Sequence, residues 1–305
     1  MGHSSLGVGA PVRGLSLLAL LALPLATGAA AQAPALSPSH DPLTGPRSRL
    51  QRDWIGARPV PADVAILVLA GHADSQGIAG PGTAGAAVDR HGAAPMQSGI
   101  RDELYWNLQV ARRVVELGLR RGLNIRLYDP PLRAIPDDDD PRTNWSVGKA
   151  HAAAGGYALE IHFDAYGPDG VGSGVIPALH RPFSRIDESL AVAFGGYPMQ
   201  FRGGLGGPRR GITLLEIGKL EAPLEPALRN PRTRELALQA ISDRVVDALE
   251  TGIGRGPAGP AVGSLSAVSG GEGTAAGTGD RLSRPPGGAG SAQSERDPQA
   301  SPAGG

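Results

Sequence analysis

The sequence has no cysteine. This absence excludes disulfide bonds, thiolate metal ligands and cysteine nucleophiles, so any metal site must use histidine and carboxylate side chains. The chain also has no surplus of either charge, because 29 lysines and arginines balance 29 aspartates and glutamates. Since proteins that bind nucleic acid need a basic surplus or a basic stripe, nucleic acid is not an expected partner.

The N-terminal region has the pattern of a secretory signal peptide. Arg13 precedes an apolar run at residues 15–26, and the small residues 29–31 supply a cleavage site. A membrane anchor would need about 20 apolar residues, whereas this run is interrupted by Pro24. We therefore predict that residues 1–31 are removed on export to the periplasm or cell exterior, and that no stable membrane span remains.

The distribution of the 46 glycines and 28 prolines indicates the domain organisation. Residues 254–305 are rich in glycine, alanine, serine and proline without an apolar pattern, which predicts a disordered tail. Residues 32–60 are predicted to be a proline-rich linker, in which Trp54 and Ile55 are able to dock on the domain. The remaining residues, 61–253, are sufficient for one domain with its own core.

Strand-like and helix-like segments alternate within residues 61–253. Residues 64–70 form a continuous apolar run, as expected of a strand covered on both faces. Residues 101–121 have apolar positions at helical spacing. Further strands are predicted at residues 124–128, 157–163 and 211–217, and a last helix is predicted from an Asn230 cap, with Pro231 at its first position, to about Leu249. This alternation predicts an α/β fold, with a mostly parallel central sheet and helices on both faces.

Four residues lie where this fold class carries its reactive groups, at the carboxyl ends of strands or on a helix turn that faces them: His72, Glu103, His162 and Glu216. Three of them also have a purely structural interpretation. His72 fits a hydrogen-bonded loop residue, Glu103 fits a carboxylate at a helix N-terminus, and Glu216 fits a salt bridge with a nearby arginine.

The strand around His162 is harder to explain structurally. Glu160, His162 and Asp164 alternate and therefore share one face, which is costly in a core unless these residues are paired or functional. Two histidines and one carboxylate are the usual ligands of a hydrolytic zinc site, and a further carboxylate serves as general base. The pattern thus favours metal-dependent amide hydrolysis, although the same donor types also suit other divalent ions.

Four segments together resemble a known enzyme family. They are LAGH at 69–72, ELYWNLQVA at 103–111, LEIHFDA at 159–165 and LLEIG at 214–218. Their order and spacing are similar to those of the zinc-dependent N-acetylmuramoyl-L-alanine amidases, which cut peptidoglycan between N-acetylmuramic acid and the stem peptide. The resemblance covers about residues 64–250.

This resemblance implies a zinc cofactor, peptidoglycan as the substrate and partner, and a protein activator as a further partner. The site residues that it implies are the zinc ligands His72, Glu103 and His162, the catalytic base Glu216, and Asn107 and Asp164 as neighbours that contact substrate or support the ligands. Glu160, which shares a strand face with His162, is a further candidate for such a neighbour.

The sequence departs from the family pattern at three places. Glu160 replaces the usual serine, and residues 149–151 read Lys-Ala-His where the family has Ala-Asn, which makes His151 an alternative ligand. After Glu216, residues 218–222 read Gly-Lys-Leu-Glu-Ala in place of Gly-Phe-Leu-Ser-Asn. Two other functions therefore stay open: a zinc amidohydrolase acting on N-acyl amino acids, and a non-catalytic module that binds peptidoglycan.

Three further segments have weak functional patterns. Residues 80–85 match the G-x-G-x-x-G dinucleotide pattern, but they lie well past the strand, contain proline and have no convincing helix after them. The acidic run at 137–140 is read as a solvated loop rather than a calcium site. The glycine-rich residues 195–211, which carry arginines, fit either a lid that grips substrate or a plain surface loop.

Overall fold

A five-stranded sheet of order β4-β3-β5-β7-β6 organises the fold. The structure, a computed structural model, describes residues 40–49 and 54–256. The strands in this part of the chain are β1 (His40–Asp41), β2 (Gly45–Pro46), β3 (Ile66–Ala70), β4 (Ile125–Tyr128), β5 (Tyr157–Asp164), β6 (Gly174–Ile176) and β7 (Thr213–Lys219). Only β6 runs antiparallel to its neighbour in the large sheet, and β1 and β2 form a separate hairpin.

Helices cover the sheet. They are α1 (Ala86–Asp89), α2 (Asp102–Arg120), α3 (Asn144–Ala153), α4 (Arg185–Phe194), α5 (Gln200–Gly204), α6 (Gly206–Arg209), α7 (Leu224–Arg229) and α8 (Arg234–Gly252). The described helices and strands all belong to the unit Leu36–Gly305, and the other unit, Met1–Ala35, lies outside the described residues.

The central strand β3 shows why both faces of the sheet are covered. Every residue of β3 is buried. Ile66 and Val68 belong to the larger core, with apolar residues of α2, α4 and α8, whereas Leu67 and Leu69 belong to a second core on the other face. Since side chains alternate along a strand, a continuous apolar run is what burial on both faces requires. The predicted fold class is confirmed.

Helix α3 covers the second face at close range. A Cβ on Gly148 would lie 2.5 Å from Ile212 Cδ1, so only a glycine allows the helix to approach the sheet this closely. Thr143 caps the helix by accepting a hydrogen bond from the Ser146 amide. Asn144 Nδ2 donates to the Ala70 carbonyl at 2.6 Å, which holds the start of α3 at the carboxyl end of β3.

The predicted long helix is observed at Asp102–Arg120, but the predicted start of the last helix is wrong. Asn230 follows α7 as its C-cap, and α8 begins at Arg234. The Asn230 side chain accepts a hydrogen bond from the Arg232 amide, which closes a turn in place of a helix cap. In this chain the Asn230-Pro231 pair therefore forms a turn and does not begin a helix.

Part of the predicted linker packs on the domain. Trp54 is 3% exposed and stacks on Phe183 with ring centroids 4.7 Å apart, whereas Ile55 is 57% exposed. Asp41 accepts hydrogen bonds from the amides of Leu43 and Thr44 and pairs with Arg244 of α8. The linker boundary at residue 60 stays a prediction.

The predicted signal peptide, residues 1–31, lies outside the described residues, and so do residues 257–305 of the tail that is predicted from residue 254. Among the helices of residues 40–49 and 54–256, none has the length and apolar character needed to cross a membrane.

Candidate metal centre

Three parallel strands and one helix bring the predicted site residues to one edge of the sheet. His72 follows β3 after Gly71, and His162 lies near the end of β5. Glu103 is in the first turn of α2, and Glu216 on β7 is the register partner of His162. Because parallel strands end at the same edge, the side chains at their carboxyl ends converge there.

Three of these residues form a group with the spacing of metal ligands. The ligand atoms of His72, Glu103 and His162 all lie within 4.8 Å of one another. Glu103 Oε1 lies 3.1 Å from His72 Nε2 and 3.3 Å from His162 Nδ1. Glu103 and His162 are buried, and His72 is half-buried. Two imidazole nitrogens and one carboxylate suit a divalent cation such as zinc, so this group could hold a metal ion.

The backbone at His72 is unusual. Its φ is 61°, and among the described residues no other residue except glycine has a positive φ. His72 Nδ1 lies 2.9 Å from the Gly80 carbonyl oxygen. Because a carbonyl only accepts hydrogen bonds, Nδ1 carries the proton, and the lone pair of the neutral ring on Nε2 would be available to a cation bound between His72 and Glu103. A strained conformation of this kind is typical of functional positions.

Residues 80–85, which match a dinucleotide pattern, are in fact a loop that wraps around this centre. The Thr83 amide donates to Glu103 Oε2 at 2.7 Å. A Cβ on Gly82 would lie 2.7 Å from Glu103 Oε2 and 2.9 Å from His72 Cδ2. The glycines therefore allow the backbone to contact both ligands. The four-residue helix α1 does begin directly after Gly85, contrary to the expectation that no helix starts there.

Asn107 and Asp164 support the loops around the centre. Asn107 is fully buried, and its Nδ2 donates to the Gly71 carbonyl at 3.0 Å, next to His72. Asp164 Oδ2 accepts hydrogen bonds from the Gly172 amide and the Tyr197 hydroxyl, both at 2.8 Å. Asn107 thus acts on the turn that carries a predicted ligand, and Asp164 acts on the segment that leads to β6.

Glu160 lies on the other side of the His162 ring. It is 2% exposed, and its Oε1 accepts a hydrogen bond from Asn144 Nδ2 at 3.2 Å. Its Oε2 lies 3.7 Å from His162 Nε2. Asn144 is not among the residues predicted for the site, because an asparagine at a helix start has an ordinary structural explanation.

The electrostatics of the centre follow from these contacts. Burial opposes ionisation of Glu103 and Glu160, yet the adjacent imidazoles hold the pKa of both carboxyls below the ordinary value. Burial likewise opposes the charged form of His162, but Glu103, Glu160 and Glu216 raise its pKa well above the ordinary value. The negative charge around His162 is a favourable environment for a cation.

Glu216 is half-buried on β7, beside His162. Its charge contributes to the raised pKa of His162 and to that of the buried Tyr197 hydroxyl, where burial is the largest cause. Glu216 therefore faces the centre, although it is not one of the three grouped ligand residues.

The segment after Glu216, which departs from the sequence pattern of the amidases, connects the end of β7 to the segment after β5. Lys219 is 8% exposed, donates to the Gly167 carbonyl and pairs with Glu221 at 2.6 Å. Glu221 in turn accepts a hydrogen bond from the Gly167 amide at 2.8 Å. The altered residues thus tie the segment after β5 to the end of β7.

An open cleft of about 420 Å³ leads to the centre. Its lining residues are His72, Asp74, Ser75, Gly80, Asp138, Thr143, Trp145, Glu160 and His162. The Arg210 guanidinium stacks on the Trp145 ring at 4.4 Å and lies 3.9 Å from Asp139. The Trp145 ring thus forms an aromatic side of the cleft, and the Arg210 guanidinium stacks on that ring.

The structure does not bring the alternative ligand His151 to the centre. Its Nε2 lies 2.9 Å from the Ala65 carbonyl oxygen, beyond the other end of β3. Within residues 40–49 and 54–256, His72, Glu103 and His162 are the only grouped residues with metal-ligand spacing. The acidic run does not form a second such group, and its Asp140 pairs with Arg142 at 2.6 Å.

The glycine-rich residues 195–211 form α5, α6 and their connections. Arg202 donates to the carbonyls of Pro177, Ala178 and Leu179. Arg202 therefore holds the loop at residues 177–179 in place. Arg210 instead contacts Trp145, which lines the cleft.

No protein-family model and no curated protein matches the chain. Solved structures do match. The catalytic domain of CwlV from Bacillus (Paenibacillus) polymyxa var. colistinus is 17% identical, with 61% of this chain and 98% of that chain covered and a TM-score of 0.37. Ami1 from Mycobacterium smegmatis is 13% identical, with 64% of this chain and 99% of that chain covered and a TM-score of 0.39. The CwlD amidase from Clostridioides difficile, solved in complex with the GerS lipoprotein, is 13% identical, with coverages of 61% and 99% and a TM-score of 0.35.

The solved structures to which this chain is similar include several N-acetylmuramoyl-L-alanine amidases and their catalytic domains.

Proposed function

We propose that this protein is an exported, zinc-dependent amidase that hydrolyses the bond between N-acetylmuramic acid and L-alanine in peptidoglycan. The observation that carries the proposal is the group formed by half-buried His72 with buried Glu103 and His162, with Glu216 beside it. The sequence motifs support this substrate, and the predicted signal peptide supports export. A protein activator stays a prediction from the sequence resemblance.

The residues of the group fit zinc. His72 Nε2, one Glu103 oxygen and His162 supply three donors, which leaves one coordination position open, as in hydrolytic sites. Zinc bound there would lower the pKa of a water molecule and polarise the amide carbonyl. The Gly80 carbonyl and the Thr83 amide orient His72 and Glu103 for this role.

Glu216 is the proposed general base. Its carboxylate takes a proton from the water that attacks the amide carbonyl carbon, and returns that proton to the nitrogen of the leaving L-alanine. The C–N bond breaks, and the products are the muramic acid carboxylate and a stem peptide with a free amine. Its register pairing with His162 places Glu216 beside the proposed ligands.

The activity test uses the full-length protein and purified peptidoglycan, with mass spectrometry of the soluble products. We expect stem peptides that begin at L-alanine, and we expect a chelator to abolish their release. Failure of the zinc-loaded protein to release any fragment, together with turnover of small N-acyl amino acids, would replace the proposal by the broader amidohydrolase function. Binding to peptidoglycan without any turnover would select the binding module.

The mechanistic test is Glu216→Gln. Because removal of a general base costs about 10²–10⁴-fold in rate, we expect turnover to fall by that factor. Zinc content, measured by elemental analysis, should equal that of the unchanged protein. Full activity in this variant would exclude Glu216 as the base.

A further inference from the structure

We infer that Glu160, held by Asn144, positions His162 so that it binds the metal through Nδ1, whereas His72 binds through Nε2. This inference rests on the proposed function, since it concerns the same metal centre. It assigns opposite ring nitrogens to the two histidines and gives a role to the carboxylate that replaces serine.

The two nitrogens of His162 face different carboxylates. Nδ1 lies 3.3 Å from Glu103 Oε1, the same oxygen that lies 3.1 Å from His72 Nε2. Nε2 lies 3.7 Å from Glu160 Oε2. Since a metal-bound imidazole coordinates through one nitrogen and carries its proton on the other, Nδ1 is the ligand atom and Nε2–H points toward Glu160.

The ring of His162 has little room to turn over. A Cβ at Gly71 would lie 2.3 Å from His162 Cε1 and 2.5 Å from both ring nitrogens, so the ring rests directly on the Gly71 backbone. The edge of the His72 ring packs on it from another side, with centroids 4.8 Å apart. The orientation of the ring is therefore set by packing on at least two sides.

Glu160 is itself held in place. Asn144 Nδ2 donates to Glu160 Oε1 at 3.2 Å and to the Ala70 carbonyl at 2.6 Å. The backbone amide of Asn144 donates to Asp74 Oδ2 at 2.7 Å, and this hydrogen bond fixes the start of α3. Asn144, Glu160 and Asp74 are all buried. A carboxylate held in this way beside a ligand histidine orients the ring and makes its other nitrogen a stronger donor to the metal.

The two histidines thus receive different support. His72 Nδ1 donates to a neutral backbone carbonyl, that of Gly80, at 2.9 Å. His162 Nε2 faces a carboxylate. Glu160 is consequently a positioning residue that acts through His162. Its loss should therefore lower metal affinity directly, and should affect proton transfer only through the loss of metal.

The first test is the zinc dissociation constant of Glu160→Gln, measured by competition with a chromogenic chelator. Loss of such a supporting carboxylate typically costs about 10–100-fold in metal affinity, and we expect a weakening in that range. Glu160→Asp should recover part of it. The matched control is Glu188→Gln, because Glu188 accepts one hydrogen bond from the Gly56 amide and lies on α4. The control should bind zinc as the unchanged protein does.

The second test is the protonation pattern of the imidazoles in the zinc-loaded protein, measured by ¹H–¹⁵N correlation of the histidine rings. We expect His162 with its proton on Nε2 and His72 with its proton on Nδ1. Coordination of His162 through Nε2 would overturn the inference, and so would unchanged zinc affinity in Glu160→Gln.

These outcomes separate the two proposals. If the unchanged protein binds zinc and releases stem peptides while Glu160→Gln binds zinc equally well, only the role of Glu160 fails. If the unchanged protein does not bind zinc, both the proposed function and this inference fail.

Discussion

Gly71 shows how much the centre depends on the absence of one side chain. It joins β3 to His72, its carbonyl accepts the Asn107 hydrogen bond, and the His162 ring lies where a Cβ would be. A glycine after a strand is usually read as a flexible link. Here it is required by the close approach of an imidazole to the backbone.

Gly71→Ala should therefore disrupt the centre. The added Cβ would lie 2.3 Å from His162 Cε1, so the ring must leave its present position, in which Nδ1 lies 3.3 Å from Glu103 Oε1. We expect zinc affinity to fall by at least about tenfold, as for other losses of ligand orientation. The control is Gly203→Ala in α5, where no atom lies within 4 Å of the new Cβ. A zinc dissociation constant for Gly71→Ala equal to that of the control would contradict this account.

At the scale of elements, the loop at residues 80–85 connects β3 to the helices and supports two ligands. It accepts a hydrogen bond from His72 and donates one to Glu103. Ordering a glycine-rich loop costs conformational entropy, which favourable contacts must offset. The two hydrogen bonds to the ligands do so, together with the hydrogen bond that the Ser75 hydroxyl donates to the Gly80 carbonyl. These hydrogen bonds hold the loop against the two proposed ligands.

Gly82→Ala tests this role. Gly82 has φ 85°, and a Cβ there would also contact both Glu103 and His72. Gly77, with φ 75° and no atom within 4 Å of an added Cβ, provides a control with the same backbone strain. Both alanine variants should lose about 1 kcal/mol of unfolding free energy, measured by urea denaturation, because alanine disfavours positive φ. Only Gly82→Ala should weaken zinc binding, and an equal effect of both variants would show that strain alone is responsible.

At the scale of the whole molecule, one buried carboxyl links the C-terminal helices to the site loop. Glu225 of α7 accepts a hydrogen bond from the Ala87 amide at 2.9 Å, at the start of α1. Burial raises the pKa of Glu225 from 4.5 to about 7, and the nearby Asp102 adds to this, while the Ala87 amide and Arg229 oppose it. The folded protein therefore holds a proton here that the unfolded chain releases at lower pH.

This pKa shift predicts how stability changes with pH. Between the unfolded pKa of 4.5 and the folded pKa of about 7, the folded state binds more protons, so its stability falls as pH rises through this window. We expect Glu225 to contribute a loss on the order of 2 kcal/mol between pH 5 and pH 8. Glu225→Gln should remove that part of the pH dependence, measured as the difference in unfolding free energy from the unchanged protein in urea. A constant difference across this range would disprove the assignment.

Several features could be predicted because they depend on local patterns. The apolar run before His72 predicted a doubly covered strand, and the helical spacing after residue 101 predicted α2 within one residue at each end. The four candidate residues were found because strand ends in a parallel sheet meet at one edge, and the structure brings them there. The Asn230 cap was wrong, since Asn-Pro signals a turn and a helix start equally well.

The sequence by itself determined the α/β class, the order of β3, α2, β4, β5 and β7 along the chain and the residue types available for a metal, because periodicity and strand ends are properties of short segments. Only the tertiary structure decided which atoms meet. The Gly80 carbonyl selects the proton position of His72, Asn144 holds Glu160 beside His162, and His151 is carried beyond the opposite end of the sheet. The last two contacts join residues that are distant along the chain, and packing of helices on the sheet, which no local pattern encodes, sets their geometry.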